Sequence, residues 1–235
     1  MKPISNFLAI VLGVFALTVF ASTRNQLPSE TSDSQNFMNR NLGNLHFDKT
    51  TTPLVFSYAL IRAKTPGGIV DVTGCAEKPT LVYSVAFENA KLHDVLDAIV
   101  KRNPLDRWTV DGGVVNLLPV KNSPALLGTR ISQFDSKNAT TLSEAASLLA
   151  QSPEVEQAEV KLGLNNPFHM QLGLGVARKH GSPIPNSTLP LAVHLENATF
   201  MDALNALVRA KGSGVWMYRE WHCSANNGYS ITFAE

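Results

Sequence analysis

Two stretches of the chain carry the same hydrophobic pattern. Leu81, Tyr83, Val85 and Phe87 alternate with other residues, and so do Leu189, Leu191, Val193 and Leu195. Period-two alternation predicts a half-buried strand in each place. After each strand the period changes. Leu92, Val95, Leu96, Ile99 and Val100 recur at helical spacing, as do Phe200, Ala203, Leu204, Leu207 and Val208, which places each set on one face of a helix. The two stretches align without a gap at an offset of 108, ending at Trp108 and Trp216, where further strands are expected. Asp111-Gly112-Gly113 predicts a tight hairpin into Val114–Leu118. Trp216–Trp221 and Gly228–Phe233 predict a longer one, with Asn227-Gly228 near its turn.

Each unit therefore reads strand, helix, strand, strand, and the expected fold class is α+β, with βαββ modules packed into one exported protein. A partial third copy is suggested by Phe134 and by Leu142, Ala145, Ala146 and Leu149, with Thr141 and Glu144 placed for a capping box. Pro53 opens an expected helix over 53–64, Thr65–Gly68 ends it, and Ile69–Val72 reads as a short strand. Glu88-Asn89 and Glu196-Asn197 occupy matching places, and Asn at such a junction suits helix capping. Thr199 with Asp202 offers a second capping arrangement.

The N-terminus follows a different logic. Met1–Asn6 carries one positive charge, Lys2; Phe7–Ala21 is apolar and uncharged, and Val19 and Ala21 put small residues before a polar run. This is a signal-peptide layout with cleavage expected after Ala21. Its apolar run is shorter than the roughly 20 residues that span a bilayer, although a retained anchor is the competing reading. The sequence divides into 1–21 as signal, 22–44 as polar linker, 45–120 as first module with its preceding helix, 121–185 as middle segment, and 186–235 as second module. The expected location is periplasmic or secreted, with no membrane span once the signal is removed.

Charge narrows the partners. The chain holds 20 basic and 19 acidic residues, and loss of Lys2 balances them. Nucleic acid demands phosphate-neutralising charge, which this chain lacks. Cys75 and Cys223 are the only cysteines, and in an oxidising compartment they are expected to form a disulfide. His222-Cys223 also suggests a thiol-dependent enzyme, but adjacent strand residues point to opposite faces. The scattered histidines give no metal-ligand spacing, so no catalytic, cofactor or metal residues are assigned. Asn138, Asn186 and Asn197 sit in glycosylation-type triplets, which matter only in a host with that machinery. Trp216, Tyr218, Trp221 and Tyr229 concentrate in one hairpin, either as packing or as a contact surface for a partner strand or glycan.

The pattern Val85–Val100 with Trp108–Leu118, and Val193–Val208 with Trp216–Phe233, resembles the secretin and TonB short N-terminal domain, the two units 81–118 and 189–233 covering a little more than a third of the chain. That resemblance implies a non-catalytic module for protein–protein contacts in the periplasm, with a partner in the cell envelope. The chain shows no secretin domain, plug or barrel, so channel or receptor activity is not implied. The alternatives are a glycan- or peptidoglycan-binding module using the aromatic hairpin and, third, the thiol-dependent enzyme.

Overall fold

A computed structural model describes residues 36–74, 82–136, 139–164, 190–223 and 227–235. The expected signal, Cys75, Asn138 and Asn186 lie outside them. Fifteen elements follow one another among the described residues: β1 (Asn41–Thr50), α1 (Thr52–Ala63), β2 (Gly67–Gly74), β3 (Tyr83–Lys91), α2 (Leu92–Arg102), β4 (Asp106–Asp111), β5 (Val114–Pro119), a short 3-10 turn (Leu126–Gly128), β6 (Arg130–Asp135), α3 (Leu142–Ala150), α4 (Pro153–Leu162), β7 (His194–Thr199), α5 (Phe200–Lys211), β8 (Val215–His222) and β9 (Gly228–Ala234). The chain is of the α+β class, with helices and separate sheets.

A five-stranded sheet in the order β4-β5-β2-β8-β9 divides the core in two. Because side chains alternate across a strand, Ile69, Val115, Leu117 and Val215 enter one hydrophobic cluster while Val70, Val114, Trp216 and Tyr218 enter the other. The first cluster is filled by α1 and α2 and roofed by β1 and β3, which pair antiparallel. The second is filled by α3 and α5 and roofed by the antiparallel pair β6 and β7. β2 is the shared strand, running parallel both to β5 and to β8. Both hairpins thus attach to one strand, but by different members. The first attaches through its second strand and leaves β4 at the edge; the other attaches through its first strand, β8.

Local chemistry explains the boundaries. Pro53 stands in the first turn of α1, and Lys64 closes it in the left-handed conformation at φ 49°. Gly112 and Gly113 both take positive φ, 50° and 79°, as a two-residue hairpin turn with matching twist requires. The Thr141–Glu144 and Thr199–Asp202 capping boxes form, with hydroxyls accepting the Glu144 and Asp202 amides at 3.1 Å.

Several expectations need correction. Asn89 and Asn197 are not helix caps: the N-caps are Lys91 and Thr199. Both asparagines instead sit at positive φ, 46° and 51°, a conformation Asn tolerates better than most side chains. β1 begins at Asn41, inside the stretch read as linker, because Leu42 and Leu45 are buried. β7 is ordered as a strand only from His194, although Leu191 and Val193 are buried and hydrogen-bonded alongside Ser136 and Ala139. The segment expected to be a partial third copy, around Phe134 and Leu142–Leu149, forms a strand and helix that join the second unit, since β6 pairs with β7 and α3 packs on α5. α4 carries no apolar stripe, only Val155 being buried.

Candidate functional site

The alternation of β8 brings Tyr218, Glu220 and His222 to one face. Glu220 is buried at 5% exposure, and burial of a carboxylate demands hydrogen-bond donors. The Tyr218 hydroxyl donates to its Oε2, and His222 Nε2 lies 2.8 Å from its Oε1. Tyr229 on β9 stacks on Tyr218 with ring centroids 5.5 Å apart and donates its hydroxyl to Glu159 of α4. Burial, followed by the neighbouring carboxylates, pushes both phenols well above their ordinary range. They are fixed as donors and unsuited to proton abstraction at neutral pH. Beside Glu220 and His222 lies a cleft of about 350 Å³ with mainly apolar walls, among them Val72, Pro124, Leu162 and Leu164.

The four aromatic interaction candidates separate at this point. Trp216, Tyr218 and Tyr229 are all at 0% exposure, filling the second core, and only Trp221 is half-exposed. Their faces are spent on packing. Cys223 is disulfide-bonded, so it offers no thiolate to His222, and its amide donates to Asn227 Oδ1 at 2.6 Å. β2 and β8 run in continuous parallel register to Gly74 and His222. Cys75 itself is outside the described residues.

A second candidate surface is one of the two edges of the large sheet, the β4 edge, the other being β9. β4 has β5 on one side and, among the described residues, no strand on the other. Its hairpin exposes Leu105 at 73%, Val120 at 50% and Val110 at 38%, and Val120 N–H donates to the Leu105 carbonyl at 2.7 Å, bringing two of these together. An edge strand with exposed apolar neighbours is a template for another chain. At its start, Asp106 is pushed up to about 6 by burial and then by the Asp71 carboxylate, against a hydrogen bond from Asn103.

Sequence reasoning did not find Glu220, Glu159 or the β4 edge. Glu220 was detectable as the charged residue between Tyr218 and His222 at strand spacing. Glu159 was not, since it meets Tyr229 only through the fold. No helix among the described residues is long and apolar enough to cross a membrane, and no group of three or more His, Cys, Asp or Glu gathers there as a metal site. No family model, curated protein or solved structure matches the chain.

Proposed function

We propose that this chain is an exported, non-catalytic protein-interaction module of the cell envelope, built from two βαββ units that share one sheet. The observation that carries this reading is the open β4 edge with Leu105, Val110 and Val120 exposed around it. The resemblance to the short N-terminal domain of secretins and TonB-dependent receptors supports the same role, as does the order strand, helix, hairpin at residues 83–119 and again at 194–234. The Met1–Ala21 pattern and the bonded state of Cys223 support an oxidising compartment outside the cytoplasm. Burial of Trp216, Tyr218 and Tyr229 removes most of the stacking surface that a glycan would need.

The test is site-specific cross-linking. A photoreactive residue at Val110 in the exported chain is expected to give a saturable adduct with one envelope protein, and Leu105→Glu is expected to abolish it. Export is checked separately by the mass of the mature chain, expected to begin at Ser22. Adducts that survive Leu105→Glu, or their absence at every dose, would remove the basis for the assignment.

A further inference from the structure

Trp108 on β4 and Trp216 on β8 stand 108 positions apart, and the segments around them are related in detail. Trp108 Nε1 donates to Asp97 Oδ1 at 2.9 Å, and Trp216 Nε1 donates to Asn205 Oδ1 at 2.9 Å. The acceptors are also 108 positions apart, each on the helix preceding the hairpin. Each hairpin is antiparallel, β4 with β5 and β8 with β9. The outer side of β8, however, is occupied. It pairs in parallel with β2, and Gly68 stands opposite Trp216. The glycine is there for contact: a Cβ on Gly68 would lie 2.1 Å from Cε2 and 2.2 Å from Cζ2 of Trp216, so the indole lies across the neighbouring strand and leaves no room for a side chain.

β4 has the same tryptophan held by the same bond from its helix and, among the described residues, no strand on that side. We infer that the β4 edge receives an extended partner segment running parallel to it, with glycine opposite Trp108 and β-branched residues after it. This rests on the interaction-module reading and specifies the partner's chemistry: main-chain hydrogen bonds supply the attachment, and the requirement for glycine under the indole supplies the selectivity. The chain's own β2 shows what such a segment looks like, since Gly67-Gly68 is followed by Ile69, Val70 and Val72.

A peptide of residues Thr65–Gly74 is therefore the probe. Titrated into the isotope-labelled full chain, it is expected to shift the Trp108 indole N–H and the amides of Asp106–Asp111. The same peptide carrying Gly68→Val is expected to bind at least about tenfold more weakly. A spin label on the peptide N-terminus should broaden Asp106 more than Asp111, as a parallel strand requires. Equal binding by the valine peptide, shifts confined to β9, or strongest broadening at Asp111 would overturn the inference. Failure here with a specific Val110 adduct intact strikes the parallel glycine-bearing segment alone. Loss of the adduct with peptide binding retained strikes the envelope-partner reading and leaves the edge chemistry standing.

Discussion

Trp108 and Trp216 make the same hydrogen bond in different surroundings. The first lies on an edge strand, partly buried, and its partner is a charged residue, Asp97. The second is at 0% exposure, and its partner is the neutral amide of Asn205, also at 0%. A carboxylate is tolerable where water reaches it and costly where it does not, whereas an amide oxygen accepts the same bond without a charge to desolvate. The backbone position and the donor are kept; the acceptor is matched to the local dielectric. The difference follows from sheet order, because β8 is flanked by β2 and β4 has no further strand beside it among the described residues.

That comparison is open to direct attack. The largest effect is expected from Asn205→Asp, which places a carboxylate in the second core and should cost about 3–5 kcal/mol at neutral pH. The loss should shrink as pH falls and the new carboxyl takes up a proton. The counterpart Asp97→Asn should change stability by less than about 0.5 kcal/mol, as exposed substitutions usually do. Urea unfolding of both variants is the measurement, and equal losses would show that burial does not distinguish the two sites. Next come Leu96→Ala and Leu204→Ala, both at 0% exposure in opposite cores, each expected to cost roughly 2–5 kcal/mol. An unchanged midpoint for either would mean that its helix does not face the sheet.

Smaller effects test the helix starts. Thr199 caps α5 through its hydroxyl, whereas Lys91 begins α2 without a side-chain cap and only its backbone N–H reaches Asp94, at 2.9 Å. Thr199→Ala should cost about 1 kcal/mol, and Lys91→Ala should leave the unfolding midpoint almost unmoved. A pH-dependent effect is expected from Asp106. Its folded pKa is raised from 3.8 to about 6, so the folded state binds its proton more tightly than the unfolded one. Its contribution therefore favours folding at low pH and is lost as pH rises through that interval. Asp106→Asn should flatten this part of the stability profile, and a profile identical to that of the parent chain would refute the shift.

The two helices on either side of the large sheet were legible because each has a full apolar stripe, and Asp111-Gly112-Gly113 marked its hairpin through the backbone angles it demands. α4 was not legible as a helix: it buries only Val155, so periodicity is silent. Its signals are at the ends, in Pro153, the first-turn Glu154 and Glu156, and Gly163 at φ 64°. β1 hid because a polar Asn-Gly-Asn context breaks up Leu42 and Leu45, and its register against β3 is irregular. The different positions of β4 and β8 in the sheet could not be read at all. The same strand–helix–hairpin pattern permits either hairpin strand to face inward, and the choice is made by a strand remote in sequence. The asparagines misled for a related reason: side-chain chemistry allowed a cap, while the backbone needed a residue that tolerates positive φ.

The shared strand β2 also sets an order of events for folding. It lies 148 positions before the β8 residues it pairs with, as Asp71 and Arg219 illustrate with their 3.0 Å ion pair. Parallel pairing over such a separation closes late, because the entropy of a very long loop must be met before any ladder bond forms. Until then β2 has β5 on one side and a bare edge on the other, and Val70 has no Trp216 core to enter. A chain threaded out of the cytoplasm from its N-terminus would pass through this half-zipped state until β8 emerged. During that interval the Gly67–Gly74 segment presents an unpaired strand edge, the kind of surface that promotes association before folding is complete.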